Sequence, residues 1–299
     1  VTKNEVDRRF RKVISEFSIQ DSWIKTKKLK EAISDSVRTS FEIKIPAGLP
    51  SVVILNRLQK VFLKDSIYVK SNEITKGRIT QLKIVFDKTI LLAAELIPDQ
   101  EIVRNTSDLA FILSDFEKLS ESRKEEILKL PEKFAVILTP SQKSESLKKK
   151  VMESEKEYCI LLNDNIDEVR FSLNPDYNDQ RLIKSVKNIL GSFGEAGIFL
   201  MDETTEIEKT SKASVVAKQF EVRKIRFVLY NHFITVKGND RQDLQSRLRY
   251  YCESSGSSGN KIFLIDAEDY LEIKDVLETY RLKGYRFVPP SVLKYGLNI

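Results

Sequence analysis

The chain is poor in the residues from which most metal and redox centres are built. It holds one histidine, His232, and two cysteines, Cys159 and Cys252, among 299 residues. A site made of two or more imidazoles, as most catalytic zinc sites are, is therefore impossible within one chain. The two distant cysteines exclude a disulfide framework and a paired-Cys zinc knuckle, and both are expected as small buried hydrophobes. No run approaches the roughly 18 to 20 apolar residues that a bilayer span needs, and mean hydropathy is −0.30. Glycine-rich phosphate loops and nucleophile elbows are missing too, which removes the commonest nucleotide and acyl-transfer chemistries.

What remains is a globular composition, 41% hydrophobic and 31% charged. That balance excludes a disordered tail protein and allows one large domain, or one ordinary domain with a smaller companion. Charge is unevenly placed: residues 1–100 carry 19 Lys+Arg against 12 Asp+Glu, while residues 101–299 carry 31 against 32. A basic excess confined to the first third suits an acidic partner surface or a lipid headgroup layer as well as a merely solubilising surface. Nucleic acid is not expected as a partner, because Arg/aromatic interleaving and RNA-binding or zinc-finger motifs are lacking. The chain opens with Val and has no signal-like stretch, which leaves open a removed signal or anchor holding it near a membrane.

Three segments emerge from the periodicity. In 1–38, Val6, Phe10, Val13, Ile14 and Phe17 form one helical stripe, followed by a basic stretch around Trp23, Ile24, Leu29 and Ile33 that reads as a second helix or a linker. In 39–98, alternation of Phe41, Ile43 and Ile45 marks a strand, Ile54, Leu58, Val61 and Phe62 a helix, and three further strands follow, with a turn at Lys76-Gly77. This β-α-β-β-β order predicts a small α+β interaction module with one helix over a mainly antiparallel sheet. From 104 to 299, short runs apolar on both faces recur at 109–113, 134–138, 158–162, 197–201, 225–230, 261–265 and 285–288. Amphipathic helices at 142–156, 179–190, 208–220, 241–253 and 269–283 fill the gaps between them. Seven such strands predict either a parallel β/α barrel or an open doubly wound sheet, and in both the ligands approach the carboxyl ends of the strands.

The strand ends carry Ser114-Asp115, Thr139, Asn163-Asp164-Asn165, Asp202-Glu203-Thr204-Thr205, Asn231-His232 and Asp266 to Asp269. Asp115, Asp202, Asp266 and Asn231 are the candidate site residues, since a carboxylate pair held about 5 to 9 Å apart can do acid/base work. Capping of the next helix is the commoner role of such residues. His232 has the same two readings, a base or a hydrogen-bonded surface residue.

These strand ends also resemble the divergent polysaccharide deacetylase family, from about Asp108 to Lys294. LAFILSDF resembles a first strand ending in an Asp-Asp pair, and LPEKFAVILTPSQKSESLKKKVMESEKEYCILLN the following strand, turn, helix and strand. GIFLMDETT is similar to an "FLDSRTS" strand end, SVVAKQFEVRKIRFVLYNHF to the segment leading into a "DVFLDN" stretch, and GNKIFLIDAEDYLEIKDVLETYRLKGYRFVPPSVL to the closing strand and helix. The resemblance implies a distorted β/α barrel, placement outside the cytoplasm in a bacterial envelope, and ancestry among metal-dependent enzymes that deacetylate glycans. Its ligand positions are degenerate here. Ser114 stands in place of the first Asp with only Asp115 kept, Leu162-Asn163 and Ile265 to Glu268 replace His-bearing stretches, and a further His-bearing loop has no counterpart. His232 falls where the family has an apolar residue. The expectation is a pseudoenzyme without metal or other cofactor, acting as an interaction or scaffold subunit among envelope proteins. The alternative is a glycan-binding protein or metal-independent hydrolase using the remnant acidic cleft.

Overall fold

The computed structural model describes residues 2–28, 37, 39–74, 78–104, 107–254 and 259–293, and these form two compact units. The first comprises Val1–Thr106 together with Thr279–Tyr285. Its elements are α1 (Lys3–Glu16), β1 (Ile24–Lys28), β2 (Thr39–Pro46), α2 (Ser51–Phe62), β3 (Tyr68–Ile74), β4 (Ile79–Phe86) and β5 (Thr89–Asp99), with the strands ordered β1-β2-β5-β4-β3. Only β2 and β5 run parallel; every other pairing is antiparallel. One face of the inner strands β2, β4 and β5 is mainly apolar, and both helices bury their stripes on it. Phe10, Val13 and Ile14 of α1 and Ile54, Leu58 and Phe62 of α2 join Ile43, Ile45, Leu82, Ile84 and Leu96 in one core.

This shared core corrects the predicted division at residue 38. A single amphipathic helix has nothing of its own to bury against, so α1 becomes a layer of the module that was predicted to begin after it. The basic stretch is in part neither helix nor linker, because Ile24–Lys28 pairs antiparallel with β2, Ile24 opposite Ile43 and Lys28 opposite Thr39. The predicted Lys76-Gly77 turn lies outside the described residues.

The second unit comprises Ser107–Glu278 and Arg286–Ile299. It contains β6 (Asp108–Ser114), α3 (Glu121–Leu128), β7 (Ala135–Leu138), α4 (Gln142–Glu153), β8 (Glu157–Leu162), α5 (Asp179–Phe193), β9 (Ile198–Met201), α6 (Lys212–Glu221), β10 (Phe227–Leu229), β11 (Ile234–Val236), α7 (Arg241–Glu253), β12 (Lys261–Asp266), α8 (Ala267–Glu272), the start of α9 (Lys274–Lys283) and β13 (Arg286–Phe287). All pairings are parallel, in the order β10-β9-β8-β7-β6-β12-β11. That order decides between the two predicted architectures. A doubly wound sheet would set β11 beside β6 and β12 outermost. Here β12, the last of the staves, lies against the first, so the strands follow barrel order with one seam, between β10 and β11. The unit is a distorted β/α barrel.

Residues of both parities are buried, as expected of staves under helices. Ala110, Ile112, Ala135, Ile137, Cys159, Ile198, Leu200, Val228, Ile262 and Leu264 fill the interior. The alternate residues Phe111 and Phe263, with ring centroids 5.2 Å apart, belong to the buried layer outside the staves, where Phe111 also meets Tyr270 of α8. At the amino ends of the strands the interior is stopped by Leu293, which is 3% exposed. Arg226 Nη1 donates to the carbonyls of Ser291 (2.8 Å) and Leu293 (3.0 Å), and the Glu157 carboxylate accepts from the Ser291 amide and hydroxyl.

Three predictions in this half need correction. The run at 285–288 is not a stave: only Arg286 and Phe287 pair, with Asp108 and Leu109, on a part of β6 that β7 does not reach. The missing stave is Ile234–Val236, too short to stand out as an apolar run. The helix predicted over 269–283 breaks at Ile273, and residues 279–285 group with the first unit rather than with the barrel predicted over 104–299.

Candidate functional site

Extending the inward alternation of each stave by one step gives the side chains of the barrel mouth: Ser114, Thr139, Asn163, Asp202, Tyr230 and Asp266. Four of them, Ser114, Thr139, Asn163 and Tyr230, line a cavity of about 350 Å³ with Asp115, Glu117, Lys118 and Asn165, floored by Ile137 and Leu161. The cavity is thus lined by hydroxyls and amides together with the carboxylates of Asp115 and Glu117 and the Lys118 ammonium.

Asp115 sits in the left-handed region (φ 54°), a conformation that Asp tolerates better than most residues. Its Oδ1 lies 2.6 Å from Lys118 Nζ, and this hydrogen bond, with the charge of Asp115 and a smaller contribution from Asp266, holds the Lys118 ammonium above its usual pKa. Asp266 caps α8, accepting from the Glu268 amide at 2.8 Å. Burial pushes its carboxyl up, with the charge and hydrogen bond of Asp115 adding to the rise and the Glu268 amide opposing it. Asp115 and Asp266 are therefore brought together at the ends of the paired strands β6 and β12. Asp202 is engaged locally, where its Oδ1 accepts from the amide (2.9 Å) and hydroxyl (2.7 Å) of Thr204 and so closes its own turn. Asn231 does not join them. It is exposed, with His232, in the 3-10 turn Tyr230–His232, and neither lines the cavity.

Alternation along β10 would have selected Tyr230 in place of Asn231. Burial raises the Tyr230 phenol, a hydrogen bond with Ser114 opposes the rise, and the carboxylates of Asp115, Asp202 and Glu203 add to it, so the hydroxyl stays protonated at neutral pH. Sequence reasoning also missed Glu117. Its carboxylate accepts from the Thr139 amide (2.8 Å) and the Ser144 hydroxyl (2.6 Å), tying the end of β7 and the start of α4 to the turn after β6. No local pattern signals this, because the partners lie 22 and 27 residues away. Cys159 is fully buried inside the barrel and its thiol is pushed up by burial, so it packs as a small hydrophobe.

The metal that the family resemblance implies does not fit these residues. A zinc or similar cation that activates water needs about three protein ligands and an open position. At the mouth the Asp115 carboxylate is held by the Lys118 ammonium, Asp266 caps a helix, Asp202 and Glu117 accept from neighbouring amides and hydroxyls, and the remaining donors are neutral hydroxyls and amides. Among the described residues no group of three or more His, Cys, Asp or Glu is placed to hold an ion.

No protein-family model matches the chain, and no curated protein matches it significantly. Solved structures similar to it include a Streptococcus mutans CE4 esterase (13% identity, TM-score 0.42, covering 64% of this chain and 87% of the other). A CE4 family pseudoenzyme from Bacillus anthracis, BA3943, gives 13% identity and TM-score 0.42, over 80% of this chain and 94% of the other. The Bdellovibrio bacteriovorus peptidoglycan deacetylase Bd3279 gives 15% identity and TM-score 0.38, and this chain spans about half its length, 52%. With scores this low, the barrel is assigned on its own strand order.

Proposed function

We propose that this chain is a catalytically inactive, polysaccharide-deacetylase-like protein that serves as an interaction or scaffold subunit in a bacterial cell-envelope assembly. The donor set of the barrel mouth carries this reading. Where a hydrolytic metal would need imidazoles and free carboxylates, the chain offers Ser114, Thr139, Asn163 and Tyr230, with Asp115 bound to Lys118 and Glu117 to the Thr139 amide and Ser144 hydroxyl. Its one imidazole belongs to an exposed turn. Purified protein incubated with zinc and then with N-acetylated chitin or peptidoglycan oligomers should release no acetate above the buffer blank. Turnover abolished by Asp115→Ala would overturn the proposal. Affinity isolation from envelope extract should recover partner proteins in fixed ratio, and recovery of the chain alone would count against the scaffold role.

One observation favours a second reading, in which the mouth binds a glycan. Hydroxyls, amides, a phenol and a carboxylate around a cavity of about 350 Å³ offer the mixed donors and acceptors that sugar hydroxyls require. Metal-independent hydrolysis by Asp115, Asp202 and Asp266 belongs to this reading. Calorimetric titration with the same oligomers tests it: binding or turnover unchanged in Asp115→Ala and Asp202→Ala would remove it.

A further inference from the structure

The cavity at the barrel mouth is more acidic than its lining alone. Asp115 and Glu117 line it, and the neighbouring strand ends add Asp202 and Glu203 after β9 and Asp266 at the end of β12. One ammonium answers them, that of Lys118, and it is committed to Asp115 on a side chain 79% exposed. Among the described residues no ion pair ties any of the other four. Glu117, Asp202 and Asp266 are held by neutral amides and hydroxyls instead. Glu203 has less, for its Oε2 is buried without a hydrogen-bond partner.

Three of these charges act on one wall of the cavity. After burial, which raises it most, the Tyr230 phenol is raised further by Asp115, Asp202 and Glu203, three charges of one sign. Like charges around a walled recess add, so the mouth holds a negative potential although the whole chain carries +6. Such a field favours a cation, and the geometry limits its kind. Among the described residues no three acidic groups converge as the coordination shell of a metal ion demands. An ammonium asks for less, because its N–H groups accept any mix of carboxylate, hydroxyl and amide oxygens. Lys118 shows as much, with its own ammonium 2.6 Å from Asp115 Oδ1. The rest of the lining, Ser114, Thr139, Asn163 and Asn165, suits sugar hydroxyls above an apolar floor of Ile137 and Leu161.

We infer that the mouth takes a glycan through an amino sugar whose nitrogen is unacetylated and protonated, its ammonium seated beside Tyr230, where the charges of Asp115, Asp202 and Glu203 meet. The inference rests on the reading in which the mouth binds a glycan, and adds to it the charge of the unit bound. An N-acetylated unit brings no charge to these carboxylates. A free amine brings one, and Lys118 is then the internal competitor that it displaces from Asp115.

Calorimetric titration of the full chain at low salt compares three probes: a fully de-N-acetylated glucosamine oligomer, its N-acetylated counterpart, and the polyamine spermidine. The free-amine oligomer should bind about tenfold or more tighter than either of the others, and should lose most of that lead in high salt. Asp202→Asn and Glu203→Gln keep the side-chain shape and remove one charge, so each should erase most of the preference while leaving the N-acetylated oligomer unaffected. Lys118→Gln removes the competitor and should tighten the free-amine oligomer several-fold, with circular dichroism melts confirming that all three variants fold. Equal binding of the two oligomers, or preference for the acetylated one, would overturn the inference and leave the glycan reading standing. Binding of neither would overturn both. Spermidine matching the oligomer, or weaker binding in Lys118→Gln, would also overturn the inference.

Discussion

In the first unit the sheet hides one face under α1 and α2, and among the described residues its two outer strands, β1 and β3, keep a bare edge. In the barrel both faces of each stave are buried, neighbouring strands satisfy almost all edges, and a single seam remains between β10 and β11. The same chain therefore keeps its unused backbone hydrogen bonds in different places. The open sheet keeps them along its flank, where another strand can add. The barrel keeps its open chemistry at the ends of the staves, where the first polar residue after each run meets solvent.

The largest expected effect falls on the residues buried on both sides of a stave. Phe111, fully buried and in ring contact with Phe263, Tyr270 and Phe287, should cost about 3–5 kcal/mol when changed to Ala. Leu82→Ala, the counterpart in the first unit's core, should cost about 2–5 kcal/mol. Denaturant unfolding of the two variants side by side measures both costs. A Phe111→Ala cost below that of an exposed truncation such as Val52→Ala would show that the outer layer of the staves is not tightly packed.

Next comes the stopper at the amino end of the barrel. Arg226→Ala removes two charge-assisted bonds to backbone carbonyls and should cost roughly 1.5–3 kcal/mol. Hydrogen exchange should show faster opening of residues 290–293 before the rest of the barrel loosens. Helix caps follow: Asn178 Oδ1 accepts from the Arg181 amide at 2.9 Å, and Asn178→Ala should cost about 1 kcal/mol in the same denaturant assay.

The smallest effect is a pH dependence. Burial raises the folded-state pKa of Asp266 above the ordinary carboxylate value of 3.8, so the folded state holds its proton to higher pH than the unfolded chain. Between those two pKa values the native state binds more protons, and this group's contribution to stability falls as pH rises through the window. Asp266→Asn, which keeps a capping oxygen, should remove that part of the slope of melting temperature against pH. An unchanged slope would show that Asp266 is not strained by its surroundings.

Much of the barrel was legible because its staves are uninterrupted apolar runs spaced by amphipathic helices; Arg241–Glu253 falls where the periodicity of Leu244, Leu248 and Cys252 puts it. Legibility failed where an element is short or lies on an edge. Ile234–Val236 offers three residues, and Ile24–Lys28 one buried-side apolar residue amid lysines, so neither shows a period. For the candidate site, the strand-end rule pointed to Asp115, Asp202 and Asp266, of which Asp115 lines the cavity, and it could not say what each one holds. That depends on partners supplied by the fold: Lys118 one turn on, Thr204 in a turn, and Glu268 at a helix start. Glu117 was illegible for the same reason, its partners being brought to it by β7 and α4.

Metal retention is the decisive test of the proposal that the barrel mouth holds no catalytic cation. Protein saturated with zinc, dialysed against metal-free buffer and assayed by plasma mass spectrometry should hold well under one equivalent per chain, with Asp115→Ala no different. One tightly retained equivalent in the parent protein, lost in Asp115→Ala, would show instead that the mouth is a working metal site.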